Sequence, residues 1–282
     1  MRGGVALFAL LLAGCSNTPR IRVGSKNFSE QYILGEIIAQ HLEHRLGGRV
    51  SRKFGLGGTL LAEQALESGG IDLYPEYTGT ALTAVLKARV LREPAAALQA
   101  VREGYRSKGL LWLDPLGFEN TFAMTVQREH GANTLTEAAA AGPWRLGAGY
   151  EFVTREDGLP GLKKAYALRL DGAPKTMDLG LLYQALNRRQ VDMAAGNSTD
   201  GLLAILPLKV LTDDRHYFPP YECAIVIRPD VASRFPGAST ALAELSGKIT
   251  SAQMQRMNYA LDGKHRPAKE IARDFLKSAG LQ

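Results

Sequence analysis

The chain has 282 residues, of which 45% are apolar and 22% charged, and it carries a formal net charge of +6 at pH 7. This is the composition of an ordinary globular protein long enough for two lobes with separate cores, so the sequence excludes a disordered chain. The basic residues are scattered and form no stripe with interleaved aromatic residues, which argues against nucleic-acid binding.

The first residues have the pattern of a secretory signal. Arg2 precedes an apolar run at 5–12 that is too short to remain as a membrane span, and Leu12-Ala13-Gly14-Cys15 follows. This last motif resembles the bacterial lipobox, which implies cleavage before Cys15 and lipidation of its thiol. We expect residues 1–15 to be a lipoprotein signal peptide with lipobox Cys15, and residues 16–20 to be a tether. The alternative is a plain signal peptide with an incidental cysteine.

Lipidation of Cys15 would leave one other cysteine, Cys223. An internal disulfide and a thiolate metal site are then excluded. We expect neither a metal nor a cofactor.

Strands and helices alternate from Ile21 onward. Strands are predicted at 21–24, 49–54 and 71–77, with a helix after the first strand and another at 60–66; Asn27 and Glu30 have the spacing of a capping box at the first helix. This order with short links predicts a parallel sheet with crossover helices. Such sheets bind ligands at the carboxyl ends of their strands, where 25–27 and 77–80 are expected.

The third predicted strand ends in two tyrosines, Tyr74 and Tyr77, and continues into Thr78-Gly79-Thr80. An aromatic face attracts a cation, and the hydroxyls and free N–H groups of a helix start attract an anion. The combination suits a small zwitterion whose positive end is bulky or alkylated. The alternative is that both tyrosines are ordinary core aromatics.

A second lobe is predicted after the alternating run 121–126, which is suited to cross between lobes. Predicted helices and strands alternate again up to the turn 196–201, and 219–227 is predicted to cross back. The expected fold class is α/β, with two lobes joined by two crossovers and a ligand cleft between them. Residues 21–122 and 223–282 are predicted to form lobe I, and residues 123–222 lobe II.

Four motifs, at 24–31, 72–80, 120–123 and 198–201, occur in one order and spacing. Together they resemble the substrate-binding proteins of ABC importers for glycine betaine, choline and related osmoprotectants. The resemblance runs from about Arg20 to the C-terminus. It implies a type II periplasmic-binding-protein fold and an extracytoplasmic, lipid-anchored monomer in the periplasm or on the outer face of the cell membrane. Such a protein delivers a solute to an ABC permease and catalyses nothing.

The resemblance also implies a ligand site, because this family surrounds the quaternary ammonium with tyrosines from both lobes. Tyr77 matches one of them, Tyr221 matches another, and Phe122 stands where many members have tyrosine. Asn197 departs from the pattern, since relatives commonly carry tyrosine there. The missing ring leaves two readings open: a weaker betaine binder, or a cleft for a larger betaine such as ergothioneine.

For the anionic end of the ligand, Arg155 resembles the arginine that family members direct at a carboxylate, and a guanidinium matches a carboxylate bidentately. Lys26 would assist by charge and Thr80 by its hydroxyl. The alternatives are a surface Arg155 paired with Glu156 or Glu151, and a solvated Lys26. A receptor for an amino acid or organic anion held mainly by Arg155 therefore stays open.

Enzymatic function is disfavoured because the sequence lacks a Gly-x-Ser-x-Gly elbow, a Walker loop and a His-Glu-x-x-His run. His41 and His44 are close enough in sequence to share a metal, but charged neighbours make this segment read as a solvated helix face. We expect no enzyme. An anchored hydrolase or transferase on the same scaffold is the remaining alternative.

Overall fold

The computed structural model describes residues 19–48 and 50–282. Cys15, the predicted signal peptide and most of the predicted tether therefore lie outside the described residues. Within the described part, no helix combines the length and the apolar character needed to cross a membrane.

The first sheet has five strands in the order β2-β1-β3-β10-β4. β1 is parallel to β2 and β3, whereas β10 is antiparallel to both β3 and β4. The strands are β1 Ile21–Gly24, β2 Val50–Lys53, β3 Leu73–Tyr77, β4 Leu111–Glu119 and β10 Glu222–Ile227.

Helices cover both faces of this sheet, since alternate residues of β10 belong to different cores. Ile225 packs in the core that contains α1, and Val226 packs in the core on the opposite face. The helices of this lobe are α1 Ser29–Leu46, α2 Thr59–Glu67, the short α3 Thr78–Thr80 with a π-helical continuation Ala81–Val85, α4 Pro94–Ser107, α9 Val231–Arg234, α10 Ala238–Ala243, α11 Ser251–Asp262 and α12 Ala268–Ser278.

The second sheet repeats this design in the order β7-β6-β8-β5-β9. β6 is parallel to β7 and β8, and β5 is antiparallel to β8 and β9. Its elements are β5 Phe122–Gln127, α5 Leu135–Ala141, β6 Leu146–Ala148, α6 Tyr150–Thr154, α7 Leu159–Tyr166, β7 Lys175–Thr176, α8 Leu179–Asn187, β8 Met193–Asn197, a 3₁₀ turn Gly201–Ala204 and β9 Leu208–Val210.

The predicted fold class, two α/β lobes with two crossovers, is confirmed. The chain leaves the first sheet after β4 and enters the second at Phe122, and it returns to the first sheet at Glu222. The first sheet is mixed where a parallel sheet was predicted, because β10, which returns from the second lobe, runs antiparallel to β3 and β4.

Two local predictions are wrong. The N-cap of α1 is Phe28, not Asn27, and no side chain caps this helix end. His41 is fully buried, with Nδ1 3.3 Å from the carbonyl oxygen of Leu281, so only the exposed His44 fits a solvated face. In both cases the environment of the side chain depends on tertiary contacts, which the spacing of residues along the chain does not reveal.

Candidate ligand-binding site

The site begins at the carboxyl end of β3, where Tyr77 is buried. Its hydroxyl donates to Glu30 Oε1 at 2.7 Å and accepts from Gln31 Nε2 at 3.2 Å. The ring stacks on Phe28 with 6.5 Å between centroids, and Lys26 Nζ lies 5.2 Å from its centroid. Burial raises the pKa of Tyr77 well above its ordinary value, which keeps the hydroxyl protonated and able to donate.

Phe122 lies at the start of β5 and is the centre of a group of four aromatic rings. Its centroid is 4.9 Å from Phe152, 5.5 Å from Tyr221 and 5.7 Å from Phe218. Phe122 also packs against the apolar cores of both lobes. We call these four residues the aromatic cluster. Edge-to-face contacts of this kind are favourable for aromatic pairs.

Tyr221 is fixed in the cluster by the crossover that carries it. The Thr78 hydroxyl donates to the carbonyl oxygen of Pro220 at 3.0 Å and accepts from the N–H of Glu222 at 3.1 Å. A Cβ at Gly79 would lie 2.7 Å from the Tyr221 ring, so only glycine permits this approach. The Thr-Gly pair after Tyr77 thus positions Tyr221.

The structure brings Phe122 and Tyr221 into contact but keeps Tyr77 apart from that set of rings. Tyr77 shares a core with Tyr221, yet among the described residues its ring partner is Phe28. Asn197 ends β8 and pairs directly with Phe122 across the strands. Directly opposed residues have Cβ atoms about 5 Å apart on one face of the sheet, so the Asn197 amide lies beside the cluster.

Arg155 follows α6 and is largely buried, with 10% of its side chain exposed. It forms a bidentate pair with Asp157, at 2.9 Å and 2.5 Å, and Nη1 lies 3.2 Å from the Thr80 hydroxyl in the other lobe. The guanidinium is 5.4 Å from the Phe122 centroid. Burial acts to lower the pKa of Arg155, but the bond to Asp157 more than offsets this and holds it above its ordinary value. A surface Arg155 paired with Glu156 is therefore wrong, and its Glu151 contact, at 3.4 Å, is secondary.

Lys26 is buried, so the alternative prediction that it is a solvated turn residue is wrong. Its Nζ donates to Glu76 Oε1 at 2.5 Å and to the Thr59 hydroxyl at 3.0 Å. The three residues predicted for the anionic end of a ligand are thus close to the cleft, but Lys26 and Arg155 each already have a carboxylate partner.

Glu151, on α6 of the second lobe, crosses to the start of α2 in the first. Its Oε1 accepts from the Thr59 N–H at 2.5 Å, and its Oε2 accepts from the Thr59 hydroxyl at 3.0 Å. Burial acts to raise the pKa of Glu151, but the charges of Lys26 and Arg155 and the Thr59 bonds hold it below its ordinary value. Glu151 is therefore an ionised carboxylate between the lobes at neutral pH.

A second junction between the lobes is built on the Glu30 carboxylate. It accepts from the Tyr77 hydroxyl at 2.7 Å, Asn120 Nδ2 at 2.8 Å, the Thr199 hydroxyl at 2.5 Å and Asn258 Nδ2 at 2.9 Å. Each of the four motifs singled out in the sequence contributes one group here. These motifs therefore hold the two lobes and their crossovers together as well as lining the cleft.

Comparison with known proteins assigns the family. Residues 19–278 match the family model of the substrate binding domain of an ABC-type glycine betaine transport system, OpuAC. The chain belongs to this OpuAC family. The predicted family resemblance is thereby confirmed.

Two relatives of the OpuAC-family chain match over nearly their whole length. A glycine-betaine-binding protein of Pseudomonas aeruginosa is 35% identical over 98% of this chain and 93% of its own. The carnitine transport binding protein OpuCC of Listeria monocytogenes is 31% identical, over 97% and 96%. An ergothioneine transport permease/binding protein of Helicobacter pylori is also 35% identical, over 98% of this chain and 52% of its own.

Among solved structures, a glycine betaine/carnitine/choline ABC transporter crystal structure is 32% identical, with a TM-score of 0.76 over 93% of this chain and 99% of that one. A closed, glycine betaine-bound lactococcal OpuAC shares the fold at 14% identity, with a TM-score of 0.65. The OpuAC-family chain therefore has the predicted type II periplasmic-binding-protein fold.

Sequence reasoning missed three residues that the structure brings to the candidate site. Phe152 and Phe218 complete the aromatic cluster, and Glu151 bridges the lobes. Phe218 directly precedes the Pro-Pro-Tyr of the crossover, which was the available signal. Phe152 and Glu151 had only their nearness to Arg155. Within the described residues, no group of three or more His, Cys, Asp or Glu side chains is arranged to hold a metal ion.

Proposed function

We propose that this protein is the extracytoplasmic solute-binding component of an ABC importer. Its ligand is a quaternary-ammonium osmoprotectant, either a zwitterion such as glycine betaine or a related solute such as choline. The observation that carries the proposal is the position of Phe122, which packs against the cores of both lobes and contacts Tyr221 on the returning crossover. Membership of the OpuAC family and relatives named for glycine betaine and carnitine support the ligand class.

The chemistry of the aromatic cluster fits an alkylated cation. A quaternary ammonium has no N–H donors, so aromatic faces bind it better than hydrogen-bond acceptors do, with each ring contributing about 0.5 to 2 kcal/mol. The Arg155 guanidinium lies 5.4 Å from the Phe122 centroid, so this ring already faces one positive charge. We place Tyr221, Phe122 and Asn197 around the cation, and Tyr77, which lies apart from that set of rings, on the first-lobe side of the same cleft. Arg155, Thr80 and Lys26 are placed towards the opposite end of the ligand.

Ligand capture in this proposal requires the lobes to open and close. Contacts across the cleft, Thr59 with Glu151 and Thr80 with Arg155, join the lobes in the present conformation. A ligand that touches both lobes stabilises the closed form, which then delivers it to the permease. The protein acts as a monomer, without catalysis, and is anchored to the membrane by a lipid on Cys15.

Isothermal titration calorimetry of the purified protein tests the proposal with glycine betaine, choline, carnitine and ergothioneine. We expect saturable heat and a raised melting temperature with at least one of them. Absence of both effects with all four would overturn the ligand class. Competition by tetramethylammonium distinguishes a cation site from a receptor for an amino acid or organic anion. Tetramethylammonium should displace the ligand from a cation site but should not bind to such a receptor. Loss of intact ligand on prolonged incubation would instead indicate an enzyme.

One observation favours ergothioneine as a second candidate within the same class. Asn197 places an amide, not a ring, directly opposite Phe122. An amide leaves more room than a phenol and offers a hydrogen-bond acceptor to a ligand that carries an N–H donor. A relative from Helicobacter pylori is named for ergothioneine transport and binding. Ergothioneine is therefore the first larger betaine to titrate.

A further inference from the structure

The hydrogen-bond donors of Thr59, near the predicted anionic end of the ligand, already bind a carboxylate of the protein. The Thr59 N–H and hydroxyl both donate to the Glu151 carboxylate, at 2.5 Å and 3.0 Å. The same hydroxyl accepts from Lys26 Nζ at 3.0 Å. The N–H at the start of α2 therefore already donates to a carboxylate of the protein, beside the buried Lys26.

The charges around this point leave little attraction for another anion. Lys26 and Arg155 are the two cations. Glu76 pairs with the first, Asp157 pairs with the second, and Glu151 lies between them, with one oxygen 3.4 Å from Arg155 Nη1. Three carboxylates against two cations give this group a net negative charge at neutral pH. A further carboxylate there would be repelled by Glu151 or would have to displace it.

We propose that Glu151 sets the selectivity of the cleft for the end of the ligand away from the ammonium. It supplies the carboxylate that the Thr59 donors bind, and so favours quaternary-ammonium ligands with a neutral, hydrogen-bond-donating end over those with a free carboxylate. A ligand hydroxyl can donate to Glu151, whereas a ligand carboxylate cannot. This inference rests on the proposed function and refines its substrate class.

Glu151→Gln tests the inference because glutamine keeps the length and an acceptor for the Thr59 N–H while removing the charge. The side chain is 39% exposed, so the variant is expected to fold. Calorimetry compares glycine betaine, which ends in a carboxylate, with choline, which ends in a hydroxyl. We expect the Kd for glycine betaine to fall about fivefold or more, because removing the Glu151 charge removes its repulsion of the ligand carboxylate. The Kd for choline should stay unchanged or rise, because choline has no carboxylate at that end.

Glu156→Gln is the matched control, since Glu156 is an exposed acid on the same lobe. Among the described contacts its side chain has no hydrogen bond or ion pair, so the control should leave the ratio of the two Kd values unchanged. Glu151→Ala should move that ratio in the same direction as Glu151→Gln. An equal change of both Kd values in the Glu151 variants would overturn the inference. It would show that Glu151 stabilises the contact between the lobes without selecting the ligand. Failure of the wild-type protein to bind any quaternary ammonium would instead overturn the proposed function, and the inference with it.

Discussion

Tyr221 combines two interactions that substitution can separate. Its ring contacts Phe122 in the aromatic cluster, and its hydroxyl donates to Asp157 Oδ2 at 2.7 Å. If the ring binds the ammonium, Tyr221→Phe should change the Kd for glycine betaine by less than about threefold, whereas Tyr221→Ala should raise it about tenfold or more. Calorimetry on both variants measures the difference.

A stability measurement is needed beside this comparison, because Tyr221 is also a core residue. Tyr221→Ala should cost about 3 kcal/mol or more in free energy of unfolding, and Tyr221→Phe much less. Binding is therefore compared at a temperature where both variants remain folded. Equal loss of affinity in the two variants would show that the hydroxyl, and not the ring, matters.

Asn197 offers a gain-of-function prediction. It faces Phe122 across the β5–β8 pair, so Asn197→Tyr would add a ring beside the aromatic cluster. The Kd for glycine betaine should fall by up to about tenfold, since one further ring over a cation contributes about 0.5 to 2 kcal/mol. Calorimetry measures this, with Asn187→Tyr, on the exposed end of α8, as control. Unchanged or weaker betaine binding, with ergothioneine binding lost, would favour a cleft built for the larger ligand.

At this scale the sequence predicted residues better than it predicted their partners. Tyr221 and Phe122 were found through motif resemblance, and the structure brings them together. The acids that neutralise Lys26 and Arg155 were not predicted as partners, because Glu76 is 50 residues away from Lys26 in sequence and Asp157 looked like one acid among several. Such pairings depend on the fold, which spacing along the chain does not give.

Among the elements, α11 has the best-defined start. Thr250 and Gln253 form a capping box, in which the Thr250 hydroxyl accepts from the Gln253 N–H and the Gln253 side chain accepts from the Thr250 N–H. Thr250→Ala should cost about 1 kcal/mol in free energy of unfolding, measured by denaturant titration. Ser251→Ala, one residue further on, is the control and should be neutral. A Thr250→Ala variant as stable as the wild type would mean that packing alone fixes this helix start.

The contrast with α1 shows why cap spacing alone is insufficient. Asn27 and Glu30 have the same three-residue spacing as Thr250 and Gln253, but Glu30 is buried and accepts from donors on distant segments. Its carboxylate is therefore unavailable to the helix end. The strand–helix alternation around it was predicted because periodicity is local, and the antiparallel β10 was not predicted because its pairing with β3 joins segments far apart in sequence.

For the whole molecule, the lobes are joined both at a buried junction and by contacts across the cleft. Glu30 is fully buried where the crossovers meet and links β3, the segment before β5, the turn after β8, and α11. Glu151 and Arg155 make their contacts with the first lobe at the cleft, through side-chain bonds that opening would break. The lobe closure proposed above therefore requires the Glu151 and Arg155 contacts to break on opening, whereas the buried Glu30 junction lies away from the cleft.

Asp200, a partly buried acid near the Glu30 junction, should make stability depend on pH. Burial raises the pKa of Asp200 from 3.8 to about 7, partly offset by hydrogen bonds from the Tyr183 hydroxyl at 2.7 Å and the Asn197 N–H at 2.8 Å. A carboxyl with a raised folded pKa stabilises the fold fully below its unfolded pKa and loses that contribution as pH rises through the folded pKa. The free energy of unfolding should therefore fall between pH 5 and pH 7, by at most about 1.4 kcal/mol per unit of pH from this group.

Asp200→Asn should remove this part of the pH dependence, because asparagine keeps an acceptor for both donors and does not ionise. Denaturant titrations at pH 5, 6, 7 and 8 would give a flatter profile for Asp200→Asn than for the wild type. Asp171→Asn, at an exposed position, should follow the wild-type profile. If Asp200→Asn also paralleled the wild type, Asp200 would be ionised throughout this range, and the Tyr183 hydroxyl and the Asn197 N–H would have to stabilise that charge.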